Sequence, residues 1–414
     1  MQLDSQVSFS ESELILACLR VRYGSGCHAD MQDRLRHGLN WHEILSTAQR
    51  HGIVPLLYEA LSSNLSRLPA DVRNGLRRNF QQNAANSFLY ASELVRVTDC
   101  LRREPIAALA FKGPTLTAQL YGKLSLRTIR DLDILVGQQQ MDSALKVLQR
   151  CGYSPVPGSG GRFSLSSKLQ KHVLLAHQSL GFRIELHWAI SERSFAFGLS
   201  FDQLWAARRD VAILGAPVAT VGPEDLLLIL SAHGTNHCWG SLKWICDIAE
   251  AIRAFPDLDW DHLVARAGRL GCRRMLLTGM TIANDVCSID LPGPVERARA
   301  LYKPAGLMSR QIPSGLLTSG QPPVDLERTL TFVRSRERLR DRLRILTMFL
   351  TPKLRPGPRE RALIHLPDSL AALYIPLRLL RLLVVYWQRA IVPILQSAAG
   401  QMRFRDRPAM LPPE

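Results

Sequence analysis

Asp131 and Asp133 are the residues of this chain whose types and spacing most directly suggest chemistry. They stand in Arg127-Thr-Ile-Arg130-Asp131-Leu-Asp133-Ile-Leu-Val136, where Leu132, Ile134 and Val136 alternate with Asp131, Asp133 and Leu135. A period of two is a strand signature. It places both carboxylates on one face, roughly 6–7 Å apart along the strand, and leaves the other face for a core. Carboxylates held this close repel each other, and a divalent cation relieves the repulsion. Mg²⁺ in particular takes carboxylate oxygen together with substrate phosphate. Upstream, the apolar run Ile106 to Phe111 ends at Lys112-Gly113. Downstream, Arg183 to Trp188 alternates again, so that Arg183, Glu185 and His187 share a face. His187 could orient a site or bind a phosphate.

The elements that must position these residues are legible in outline. Residues 9–63 carry helical spacing, and residues 69–103 form one long helix that ends before Glu104-Pro105. A strand over 106–112, a helix over 114–121, a strand over 130–136 and a helix over 140–151 follow. Pro155, Pro157, Gly158, Gly160 and Gly161 mark a loop. Lys171–His177 and Arg183–Trp188 read as strands, and Val211–Val221 as strand-like sequence broken at Gly215-Ala-Pro217. Pro223-Glu-Asp opens a helix with proline and acids in its first turn. Three more helices occupy 257–305, a Gly/Ser/Pro/Gln connector follows, and a basic helix runs from Glu327 to Leu350. The expected organisation is a helical region over 1–104, a core over 105–222, a helical domain over 223–305, a linker over 306–326 and a basic helical region over 327–414.

Of 414 residues, 46% are hydrophobic, enough for a sizeable core in two or three domains. Net charge is +16, and residues 328–414 hold 17 Lys or Arg against 6 Asp or Glu. Such a balance attracts an anionic partner. Leu370 to Gln396 combines an apolar stripe with Arg378, Arg381 and Arg389 on one face. Three arginines argue against a spanning helix, and leave a core helix or one lying on an anionic membrane surface. The basic segment lacks interleaved aromatics for base stacking, so nucleic acid is not expected as a partner. There is no P-loop and no dinucleotide fingerprint after a strand. The eight cysteines contain no C-x-x-C pair and read as free thiols of a reducing cytosol; the polar, acidic N-terminus reads as lacking a signal peptide. His233-x-x-x-His237 has metal spacing, but Gly234 sits inside it and no third ligand is evident.

Lys112-Gly113, Tyr121-Gly122, Arg127-x-x-Arg130-Asp131-h-Asp133-h-Leu-Val and, downstream, Ile-Glu185-Leu-His187-Trp resemble the uncharacterised bacterial nucleotidyltransferases of the polymerase-β-type superfamily. The resemblance extends over roughly residues 40–255 and takes in Trp41-x-x-Ile-Leu-x-x-Ala-x-x-His51-Gly-Ile-Val-Pro and the Trp-rich segment from His233 to Asp247. It implies an α+β fold, a small mixed sheet flanked by N-terminal and C-terminal helical regions. It also implies Mg²⁺-dependent transfer of an NMP from an NTP to a hydroxyl acceptor, in exopolysaccharide biosynthesis or peptide modification. Asp131, Asp133 and Glu185 then become the catalytic, metal-holding carboxylates of a two-metal site. Lys112, Gly113, Arg127 and Arg130 become triphosphate contacts, Gly113 by letting the backbone approach closely. His233 and Asp247 become substrate contacts, or locks between the helical domain and the sheet, and His51 a capping or core histidine. The wider superfamily has Gly-Ser where this chain has Lys112-Gly113, and the nearest hydroxyl is Thr115. The competing expectation is an inactive nucleotide-binding scaffold, held to a membrane-bound assembly by the basic C-terminus. In either case the protein is expected in the cytoplasm or peripherally at the inner membrane face.

Overall fold

The protein was analysed as a computed structural model, which describes residues 9–24, 28–36, 38–157, 171–190, 198–302 and 325–354 and the positions 374, 376, 378 and 381. The chain divides into two compact units, Met1–Ile345 and Leu346–Glu414. In the first unit, short helices α1 (Phe9–Arg22), α2 (His28–Arg34), α3 (Trp41–Arg50) and α4 (Val54–Leu61) precede the long α5 (Ala70–Arg103). Asn40 caps α3, its side chain accepting the Glu43 N–H. The expected end of α5 before Glu104-Pro105 holds.

A five-stranded mixed sheet follows, in the order β1-β2-β5-β4-β3. Its strands are β1 (Ala108–Ala110), β2 (Leu132–Val136), β3 (Tyr153–Pro155), β4 (His172–His177) and β5 (Arg183–His187). Helix α6 (Pro114–Tyr121) joins β1 to β2, and α7 (Met141–Arg150) joins β2 to β3. Strand β2 is antiparallel to β1 and parallel to β5, while β4 is antiparallel to both β5 and β3. All five residues of β2 are buried, as befits a strand covered on both faces. Leu132, Ile134 and Val136 enter a core with Ile184, Leu186 and Leu175 and with Leu94, Val97 and Leu101 of α5. Leu135 on the other face joins a second, larger core made mostly of helices. This mixed sheet flanked by helices is the expected α+β fold.

After α8 (Phe201–Ala206), the strand-like stretch 211–221 proves to be a hairpin, β6 (Arg209–Ile213) and β7 (Ala216–Thr220). Its two-residue turn has Leu214 at φ +50° and Gly215 at φ +84°, the backbone of a primed hairpin turn. Helices α9 (Pro223–Asn236), α10 (Leu242–Ala254), α11 (Trp260–Leu270), α12 (Arg273–Cys287) and α13 (Gly293–Leu301) build the helical core. Trp239, at φ +55°, is buried within it. A Cβ at Gly234 would lie 2.4 Å from its indole and one at Gly279 2.6 Å, so both helices use glycine to seat the ring.

The basic helix expected over 327–350 is broken into α14 (Asp325–Ser335) and α15 (Leu339–Leu354). Arg336 at the break is fully buried and donates to Asp341 Oδ2 at 3.1 Å. Parts of the Gly/Pro loop after Pro157, the connector over 306–324, and the Leu370–Gln396 stripe apart from four positions lie outside the described residues. Among the described residues no helix is long and apolar enough to cross a membrane.

Candidate active site

The turn between β1 and α6 forms one wall of the site. Gly113 sits at φ +61°, and a Cβ there would meet the Asp131 carbonyl at 3.3 Å. Positive φ and this close approach both call for glycine. The turn brings Lys112 Nζ to 3.0 Å from Asp133 Oδ1. Thr115 is fully buried and donates to Ala110 O at 2.9 Å or Lys112 O at 3.0 Å. Its hydroxyl therefore closes the turn.

The carboxylates come from β2 and β5. Their parallel register sets Asp133 opposite Glu185, and β4 adds His172 opposite His187. His187 Nε2 lies 3.2 Å from both Asp133 Oδ1 and Glu185 Oε2. Asp131, just before β2, joins Asp133 and Glu185 in the wall of a cavity of about 380 Å³. Lys112, Arg130, Lys171 and Lys243 supply cationic groups to the same cavity, and His233, His237 and Trp244 an aromatic side. An acidic floor with basic walls complements a metal–polyphosphate ligand, and the volume falls within the usual range for small-molecule sites.

The charges pull the carboxylates apart in acidity. Burial pushes Asp131 up, and Asp133 and Glu185 push it further. Burial would also raise Asp133, but the Lys112 ammonium and the His187 ring outweigh it and hold this carboxyl well below its usual range. Glu185 is likewise lowered, its desolvation overcome by the hydrogen bond from His187. Lys112 is raised despite burial because of Asp133, whereas burial and then Arg127 depress Lys243 to about 8. Burial, followed by Lys112 and His237, takes His233 well below its ordinary value.

Arg127 and Asp247 meet in a buried fork. Arg127 Nε and Nη2 reach Asp247 Oδ1 and Oδ2 at 2.8 and 2.9 Å, and Tyr121 OH adds a third donor at 2.9 Å. This joins the segment before β2 to α10 and α6. Arg130 is exposed on the cavity rim, and His233 lies on the last turn of α9. His51 is buried, and its Nδ1 accepts the Leu242 N–H at the start of α10, so it caps that helix.

Sequence reasoning missed the device that holds this segment. Asn83, Asn86, Ser87 and Tyr90 form a polar stripe on α5 that donates to the carbonyls of Ser125, Ile129, Arg127 and Arg130. The Tyr90 bond to Arg130 is 2.7 Å. The signal was present as polar residues at three- and four-residue spacing on an otherwise packed helix. His172 and Lys243 were also missed, because strand pairing and helix docking, not local spacing, bring them to the cavity.

Residues 37–288 match the family described as uncharacterised nucleotidyltransferases, and the matched span covers more than half of the chain. The protein belongs to this family. No curated protein matches the chain. As a family member it is a nucleotidyltransferase, for which an NTP is the implied substrate.

Proposed function

We propose that the protein moves an NMP from an NTP to a hydroxyl acceptor, with Mg²⁺ held by Asp131, Asp133 and Glu185. The observation that carries this reading is the convergence of Asp133 and Glu185 from two paired strands, with Asp131 from the residue before the first of them, on one cavity with cationic walls, in a chain of this family. The donor set fits a hard, oxygen-seeking cation. Asp131 is raised by burial and by its two acidic neighbours, a repulsion that a divalent cation relieves. Bound there, Mg²⁺ supplies charge neutralisation to the triphosphate and acidity to the attacking hydroxyl.

The chain's own groups do the rest. Lys112, Arg130 and Lys243 bind phosphate oxygens as fixed positive charges. Gly113 lets the α6 turn approach the phosphates without a side chain. Glu185, kept ionised by His187, accepts the hydroxyl proton as the acceptor oxygen attacks the α-phosphorus and pyrophosphate leaves. Arg127 and Asp247 position the loop that carries Arg130 and Asp131. A sugar intermediate of exopolysaccharide synthesis or a peptide hydroxyl suits the acceptor role. The anionic-surface partner rests on the sequence of residues 366–414, and their deletion should reduce sedimentation with anionic liposomes.

One observation favours the scaffold reading instead: the Lys112 ammonium stands on Asp133 at 3.0 Å, where a cation would compete with it. Calorimetry with the four NTPs, with and without Mg²⁺, separates the two. Mg²⁺-dependent binding that disappears in Asp131→Asn supports transfer chemistry. Binding that needs no Mg²⁺ and survives Asp131→Asn supports the scaffold, and no binding of any NTP overturns both.

A further inference from the structure

The sheet brings together a second group of donors that overlaps the proposed transfer site at Glu185 and His187. His172, Glu185 and His187 each offer a ligand atom, and these atoms all lie within 4.8 Å of one another. The register produces the group: His172 and His187 are direct cross-strand partners, and Glu185 stands two residues before His187 on the same face. The two imidazole rings are 4.9 Å apart, tilted by 43°. Ligand atoms around one ion, each about 2.0–2.2 Å from it, stand a few ångströms from one another, so small rotations close this set.

We propose that His172, Glu185 and His187 form a binding site for a nitrogen-seeking first-row transition ion such as Zn²⁺ or Co²⁺, next to the Asp131/Asp133 carboxylates and sharing Glu185 with them. Imidazole suits Zn²⁺, Co²⁺ and their neighbours, while all-oxygen donors suit Mg²⁺. The two halves of the cavity floor are therefore built for different ions.

A further observation points to a ligand here. His187 is 1% exposed, yet its Nδ1 has no hydrogen-bond partner among the described residues, and the buried Nδ1 of His172 has none either. Buried polar atoms are ordinarily paired, so two orphaned ring nitrogens side by side call for an explanation. The Asp133 contact to His187 Nε2 at 3.2 Å adds the carboxylate that commonly orients a ligating histidine.

The proposal does not depend on nucleotidyl transfer, since the ion can bind whether or not an NTP reacts. The test uses the full chain labelled with ¹⁵N-histidine, stripped with chelator and titrated with Zn²⁺ in excess Mg²⁺. The side-chain ¹⁵N resonances of two of the eleven histidines should shift together, and His172→Asn should remove one of them. Co²⁺ affinity, read from visible d–d absorption, should fall at least about tenfold in His172→Asn and persist in Asp131→Asn. Shifts confined to other histidines, none at all in the wild type, or equal Co²⁺ affinity in wild type and His172→Asn overturn the site. Because the first readout is made on the unaltered protein, a misfolded variant cannot mimic failure. NTP binding in Mg²⁺ alone, measured in parallel, reports separately on the transfer reading.

Discussion

Asp247→Asn tests whether the Arg127–Asp247 fork is a strut or part of the substrate contact. Asp247 is completely buried, and its carboxylate takes two guanidinium bonds at 2.8 and 2.9 Å and the Tyr121 hydroxyl at 2.9 Å. Neutralising it leaves the Arg127 guanidinium charged and buried, because a guanidinium keeps its proton in a folded protein even when its partner is lost. Breaking one side of a buried pair costs about 3–5 kcal/mol, and a weakened Tyr121 bond adds about 1 kcal/mol. Replacing both partners with apolar residues avoids the stranded charge. Arg127→Met with Asp247→Leu should therefore be less destabilised than the two single changes added together, by about 1–3 kcal/mol. Urea unfolding followed by tryptophan fluorescence, with NTP binding measured on the same samples, gives the readout. Asp247→Asn should lower the unfolding midpoint strongly. An unchanged midpoint accompanied by lost NTP binding would refute the strut and make Asp247 a ligand contact.

The remaining expectations concern the cavity. Asp131→Asn should raise the melting temperature of the ligand-free protein at neutral pH. The raised carboxyl of Asp131 means that the folded state holds the proton better than the unfolded one, so stability falls as pH rises through the interval between the two values. The amide removes that loss, and a lowered melting temperature would contradict it. Lys243, depressed to about 8 by burial and Arg127, costs stability below that pH, and the cost fades as pH climbs towards 10.5. After reductive ¹³C-methylation, one resonance absent in Lys243→Arg should titrate near pH 8, and titration with the bulk lysines would remove the argument. Gly113→Ala should destabilise by about 1–3 kcal/mol and weaken NTP binding, since its Cβ enters a positive-φ site 3.3 Å from the Asp131 carbonyl; wild-type melting and binding would show that the turn tolerates a side chain. Gly234→Ala should destabilise by about 1–3 kcal/mol through its clash with the Trp239 indole, measured by thermal unfolding.

The local order of elements was legible because each rests on short-range regularities. The period of two over 131–136 and 183–187, the proline before β1 and the proline and acids that open α9 are nearest-neighbour effects of sterics and capping. The same regularities put Asp131 and Asp133 together, and Glu185 and His187 together. Long-range choices were not written in spacing. Which strands pair is decided by packing both faces of β2, and that choice sets Asp133 opposite Glu185 and His172 opposite His187. Whether Arg127 meets phosphate or a carboxylate depends on where α10 docks, 120 residues away. The break at Arg336 follows from a buried pair that helix propensity does not register. The sequence alone thus determined which acidic and basic residues share a strand face and the secondary structure they stand on. Tertiary structure decided which of their charges face one another, because electrostatic coupling depends on distance and burial, and both arise only when remote segments pack.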